Sequence, residues 1–162
     1  MSIAPKLSVV VPVDLSVASY AAVTEALEHV ERPDQVHVLH VLPPIDPDEF
    51  ESVWSPRDPD SRIAAARATI KADLAKKFPH GIQVHVVLGE PAPAIAEFAQ
   101  EQNAQLVVIA SRGLSGLARL FDVSVSEQVI RLCHCPVFVI GKRHRPAKSN
   151  AVNFALQRVA VG

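Results

Sequence analysis

Apolar residues along this chain follow two alternating spacings. Short runs rich in β-branched residues fall at 7–13, 36–42, 82–88, 106–110 and from Pro136 to Ile140. The first and the last two are nearly continuous, as expected of strands buried on both faces. Helical spacing lies between them. Val23, Ala26, Leu27 and Val30 form one stripe, and Ile63, Ala66, Ile70, Leu74 and Phe78 a second. Ala92, Ile95, Ala96 and Ala99 form a third, and Val125, Val129 and Leu132 a fourth. Helix starts are marked as well. Ser16 opens the first helix, Asp58-Pro59 pairs an N-cap with proline at the first helical position, and Glu90-Pro91 is similar. Ser124-Val125-Ser126-Glu127 reads as a capping box. The resulting order, β-α-β-α-β-α-β-α-β, predicts an α/β fold: a Rossmann-like open parallel five-stranded sheet with helices on both faces.

Two segments depart from this alternation. Residues 43–56 form a long acidic connection with Asp46, Asp48, Glu49, Glu51 and the single tryptophan, Trp54. Connections of that length are usually lids or mobile segments. Residues 1–142 read as one domain and 143–162 as a C-terminal tail; basic residues Lys142, Arg143, Arg145 and Lys148 span the join, and apolar Phe154, Leu156, Val159 and Val161 follow.

Composition narrows the function classes. The 162 residues are 49% hydrophobic and 20% charged, enough apolar material for a core. Lysine and arginine (16) nearly balance aspartate and glutamate (17), giving a net charge of −1. That balance argues against a dedicated nucleic-acid binder, whose affinity rests on phosphate neutralisation. No apolar run reaches the roughly 18 residues of a membrane span, and the amino terminus lacks a signal-peptide pattern. A cytoplasmic protein is expected. The two cysteines, Cys133 and Cys135, have no second Cys/His pair at zinc-finger spacing and read as buried thiols in a reducing compartment.

In an open parallel sheet, ligands bind beyond the carboxyl ends of the strands where the strand order reverses. The first strand ends in Pro12-Val13-Asp14. The fourth ends in Ile109-Ala110-Ser111-Arg112-Gly113, and a loop then leads to the helix at Ser124. If these strands are neighbours, an aspartate faces a small-residue loop and a helix N-terminus, an arrangement suited to phosphate. Asp14 would then hold a ribose hydroxyl or a metal ion on the phosphates. Each element also has a structural reading: an aspartate after a strand serves as an N-cap or turn residue, and Arg112 can simply face solvent. The loop is neither a hydrolase elbow, since Leu117 takes the last glycine place, nor a P-loop, since it lacks the lysine. His37 and His40 lie three apart on a strand and point to opposite faces, so they cannot share a metal. His40 and His85 read as core histidines with hydrogen-bonded rings.

Taken together, these segments resemble the universal stress protein family over residues 5–142. The resemblance rests on Val9-Val10-Val11-Pro12-Val13-Asp14, His40-Val41, Gly89-Glu90-Pro91 and Leu106-Val107-Val108-Ile109-Ala110-Ser111-Arg112-Gly113. It continues in Ser124-Val125-Ser126-Glu127 and Cys135-Pro136-Val137-Phe138-Val139-Ile140. It implies strand order 3-2-1-4-5, which sets strand one beside strand four. ATP-binding members carry a glycine, two residues, a glycine, nine residues, then glycine and serine or threonine. Here that frame reads Ala110, Gly113, Val123, Ser124, so the spacings are kept while two glycines are replaced. The resemblance implies that Asp14 and Val41 hold ribose and adenine, that Gly113, Ser124 and Val125 meet the phosphates, and that Pro12, Val13, Ile109, Ala110, Arg112 and Val123 line the site. Ala110 adds one methyl group. Val123 is a larger departure, because a β-branched residue is strained at positive φ and its bulk hinders close phosphate approach.

Two readings of function follow. The first is an adenine-nucleotide-binding (ATP or AMP) regulatory protein in stress response, with Mg or Mn accompanying the nucleotide at Asp14. The second is a nucleotide-independent dimeric interaction or stress-tolerance factor that meets another protein. An enzyme is the third reading: slow ATP hydrolysis would need a base or water-orienting group, and Asp14 is the only candidate visible. The resemblance also implies a homodimer through the last strand, Pro136 to Ile140; the apolar tail is expected to dock on its own subunit or across the dimer, because its side chains are costly to leave in water.

Overall fold

The β-branched runs form five strands in the computed structural model, which describes residues 7–44, 58–111 and 125–141. They are β1 (Val9–Pro12), β2 (Val36–Leu42), β3 (Gln83–Leu88), β4 (Leu106–Ala110) and β5 (Val137–Ile140). The helices are α1 (Val17–Glu28), α2 (Pro59–Lys77), α3 (Pro91–Glu101) and α4 (Val125–Leu132). All strand pairs are parallel and the order is β3-β2-β1-β4-β5, so the chain reverses direction across the sheet between β1 and β4. This is the expected architecture, with β1, β3 and β5 one to three residues shorter than the apolar runs that foretold them.

The continuous runs are explained by two packed layers. On β1, Val9 and Val11 point into one core with Val36, Val38, Val86 and Val108, covered by Tyr20, Val23 and Ala26 of α1 and by Ile70 and Leu74 of α2. Val10 points the other way, into a core with Leu39, Val107, Ile109 and Val137, covered by Ala92, Ile95 and Phe98 of α3 and Val129 of α4. A strand covered on both sides needs apolar side chains at every position.

The helix starts use local chemistry. Ser16 caps α1 by accepting from the Ser19 N–H at 3.2 Å, and Asp58 caps α2 by accepting from the Ser61 N–H at 3.0 Å. Glu90 precedes Pro91 without a side-chain cap bond. Gly89 stands before it at φ +153°, which accounts for glycine there, and its N–H donates to the Leu42 carbonyl at 3.0 Å. Tyr20 ties α1 to α2: its hydroxyl donates to Asp73 Oδ2 at 3.1 Å and the Lys77 ammonium sits 4.2 Å from its ring centroid. Burial, then the Asp73 carboxylate, pushes the Tyr20 hydroxyl up to about 12.

One helical stripe needs correction. On α4 the inward face is Ser126, Val129 and then Cys133 just past the helix, whereas Leu132 is 53% exposed. The i, i+4 step from Val129 leads to Cys133, and Leu132 falls a residue short of that face. Cys133 is buried and Cys135 half-buried, both as free thiols. Burial raises both, Cys133 to about 12, leaving little thiolate for reaction. Ser124, expected as the cap of α4, lies outside the described residues, as do residues 45–57 of the long connection and the tail from residue 142.

Candidate functional site

The sheet splits where its order reverses. The β1–β4 ladder ends at Val10↔Val107, while β1–β2 pairing runs on to Pro12↔Leu39 and β4–β5 pairing to Ala110↔Ile140. Proline supplies the reason. The Ser8 carbonyl accepts from the β4-side Gln105 N–H at 2.9 Å, whereas the Val13 N–H donates to Leu39 of β2 at 2.8 Å. Even-numbered residues of β1 therefore direct their backbone groups to β4 and odd-numbered ones to β2. Pro12 is the next even position, and it has no N–H to donate.

Beyond that point β1 enters a tightly bonded turn. Asp14 Oδ1 accepts from the Ser16 N–H at 3.0 Å, an Asx turn that makes the aspartate's structural reading part of the answer. The Asp14 N–H donates to Ser19 Oγ at 3.3 Å, and the Ser19 hydroxyl donates to the Ser16 carbonyl at 2.9 Å. Asp14 is exposed, and its second oxygen, Oδ2, has no partner among the described residues. The carboxylate is thus fixed by one oxygen and presented by the other. Leu15, between Asp14 and Ser16, sits at φ +67° with 42% of its surface exposed. A leucine in that region carries strain of about 1–2 kcal/mol that glycine avoids. Leu15→Gly is expected to stabilise the fold by about 0.5–1 kcal/mol, the remainder offset by added unfolded-state entropy. A higher urea midpoint at unchanged slope checks this.

The residues expected to line the site have different fates. Pro12, Asp14 and Ala110 lie at the carboxyl ends of the two strands that separate. Val13 and Ile109, each 5% exposed, belong to the first and second core layers. Val41, one residue before the end of β2, and Val125, first in α4, are half-buried against the second layer. Arg112, Gly113, Val123 and Ser124 lie outside the described residues. Among the described residues no three metal-ligating side chains converge, and none of the helices is long and apolar enough to cross a membrane.

Three features went unread in the sequence: the positive φ at Leu15, the bracing serines around Asp14, and the reach of His40. The spacing Asp-x-Ser-x-x-Ser was a usable signal for the second, since it joins an Asx turn to an N-cap. His40 Nδ1 lies 2.7 Å from the Val13 carbonyl oxygen, a contact across 27 residues that no local pattern announces.

The other two strand histidines meet away from this crevice. His37 Nδ1 and His85 Nε2 are 3.2 Å apart, with Phe98 packed on His85 at 4.8 Å between ring centroids. Burial lowers His85 from 6.5 to about 4, aided by neighbouring His37 and the Arg67 charge. A lowered histidine means that the unfolded chain binds its proton first. Its stabilising contribution is therefore complete above pH 6.5 and lost as pH falls toward 4. Discounted for half burial, we expect a loss of about 1–2 kcal/mol across that window. Chemical denaturation at pH 7 and pH 4.5 should show this loss in the wild type and a smaller one in His85→Phe. Equal losses would detach the effect from His85.

Comparison with known proteins gives one consistent result. The profile described as the universal stress protein family matches residues 7–141. A universal stress protein of Mycobacterium bovis is 31% identical over 140 residues, covering 82% of this chain and 47% of that protein. Matches to the first curated relatives take in between 38% and 47% of their lengths, so this chain spans less than half of them. Among solved structures, universal stress protein UspA from Lactobacillus plantarum superposes with a TM-score of 0.58 at 23% identity, covering 85% of this chain and 99% of that one. A universal stress protein crystallised in complex with cAMP superposes with a TM-score of 0.56 at 24% identity, covering 83% and 96%.

Proposed function

This chain belongs to the universal stress protein family, and on that premise we propose that it is an adenine-nucleotide-binding regulatory protein of stress adaptation. The observation that carries this reading is the split between β1 and β4 at the strand reversal, with the Asp14 carboxylate presented beside it. A crevice at this switch point is where open α/β sheets take nucleotides, and the cAMP complex is a fold relative that binds one.

The described residues fit the adenosine end of such a ligand. Asp14 Oδ2 can accept from a ribose hydroxyl, and the half-buried Val41 offers apolar surface suited to an adenine ring. An exposed carboxylate oxygen is also the hard donor that Mg or Mn prefers, so the same atom fits a metal carried in with the phosphates. Gly113, Ser124 and Val125 would meet the phosphates, and Val123 would select for shorter chains. The proposed role is binding, with the nucleotide as signal or stabiliser rather than as a substrate.

Calorimetric titration with AMP, ATP and cyclic AMP tests the reading, alongside mass spectrometry of small molecules released from the denatured protein. One of the three should bind at one per chain or emerge on release. A chain that binds none and releases none would overturn it.

The second reading, a dimeric interaction protein independent of nucleotide, is favoured by β5. This strand pairs with β4 alone among the described strands, and Phe138, Val139 and Ile140 remain only half-buried. An unpaired apolar edge is normally covered, and a second copy would cover it through a two-fold contact. Light scattering should give twice the chain mass for the wild type. A variant lacking residues 146–162 tells whether the tail contributes to that contact, and a monomeric wild type would sink the dimer.

A further inference from the structure

The Val13–Asp14 peptide group is held from both sides. Its carbonyl oxygen is 2.7 Å from His40 Nδ1 of β2, and its N–H donates to Ser19 Oγ of α1 at 3.3 Å. One residue earlier, the Val13 N–H is anchored on the Leu39 carbonyl of β2. A peptide plane with both polar groups fixed cannot rotate, and the plane before a residue sets the direction in which its side chain leaves the backbone. We infer that His40 is a positioning residue: its imidazole aims the Asp14 carboxylate at the crevice between β1 and β4, and through it sets affinity for the nucleotide.

The chemistry fixes the state of the ring. A carbonyl oxygen only accepts, so His40 Nδ1 must carry the proton. In the neutral ring Nε2 is then the lone-pair nitrogen. This position needs a donor at a defined distance from the β2 backbone. An asparagine amide nitrogen occupies nearly the place of Nδ1, whereas glutamine carries its amide one methylene further and leucine has no donor. The arrangement also links two strand ends, since the residue after His40 is Val41. The link to affinity rests on the nucleotide-binding reading, while the link to Asp14 geometry does not.

The test uses the full chain and three readouts. Long-range proton–nitrogen correlation of the wild-type histidine rings should show His40 protonated at Nδ1; a neutral ring protonated at Nε2 alone overturns the inference without any mutation. In ligand-free spectra, His40→Asn should leave the Asp14 and Ser16 amide resonances close to wild type, and His40→Gln and His40→Leu should move them. Unmoved resonances in both of the latter overturn it. Whichever of AMP, ATP and cyclic AMP the wild type binds should bind His40→Gln about tenfold more weakly, as expected for one lost hydrogen bond, and His40→Asn within about threefold. Wild-type affinity in a folded His40→Gln overturns the inference while the proposed function stands. A wild type that binds no nucleotide overturns the proposed function, and the ring and amide spectra still decide whether His40 aims Asp14.

Discussion

Replacing Asp14 with alanine is expected to weaken adenine-nucleotide binding about 10- to 100-fold, the effect of losing a hydrogen bond to a charged group worth roughly 1.5–3 kcal/mol. The fold should survive, because the side chain is exposed and its described bond is one Asx contact to the Ser16 N–H. That contact still complicates the alanine variant, since its loss loosens the turn as well as removing the ligand group. Asp14→Asn separates the two effects: asparagine keeps an oxygen for Ser16 and gives up the charge. If Asp14 Oδ2 accepts from the ribose, the asparagine variant should lose affinity with or without Mg, because its amide nitrogen takes the place of Oδ2 and cannot accept. If Asp14 holds a metal ion, it should lose whatever part of the binding depends on Mg. Calorimetry of both variants with and without Mg makes the distinction, and unchanged affinity in both would remove Asp14 from the site.

The largest effect on stability is expected at Leu39. This side chain is fully buried in the second core layer, packed with Val10, Phe98 and Val107, and it lies on the central part of β2 beside Pro12 of β1 and His85 of β3. Leu39→Ala should cost about 2–5 kcal/mol, the transfer of the lost methyl groups plus the cavity left behind. A domain of this size holds about 5–15 kcal/mol in total, so the variant should melt far below wild type. Leu132→Ala is the matching control: with its side chain 53% exposed, it should change stability by less than about 0.5 kcal/mol. Urea denaturation of the two variants checks both values. Similar losses at Leu39 and Leu132 would contradict the buried face of α4 and the packing around β2.

These expectations depend unequally on sequence and on tertiary structure. Several parts of the site are local consequences of residue type. Pro12 cannot donate, so a ladder that reaches it must stop there on one side. Ser16 and Asp58 cap their helices with their own side chains, which any reader of N-cap chemistry can foresee. Uninterrupted valines on β1 announce a strand covered on both faces, and five β-branched runs alternating with helical stripes determine an α/β sheet.

Other parts needed the assembled molecule. Parity along β1 puts Pro12's missing donor on the β4 side, but only strand pairing reveals that β4 is the neighbour there. Spacing draws the fourth helical stripe through Leu132, and the packing of α4 on α3 and β5 put Cys133 on the buried face instead. Leu15 shows no sign in its sequence of the positive φ it adopts, because the conformation is imposed by the bonds around Asp14, Ser16 and Ser19. His40 and Val13 are 27 residues apart, and so are brought together only by the pairing of β1 with β2. The sequence by itself thus determined the elements, their order and the carboxylate at the end of β1, since periodicity and side-chain chemistry act over a few residues. Tertiary structure decided which strands part, which helix face is buried and what orients that carboxylate, since each of these is set by contacts between segments distant along the chain.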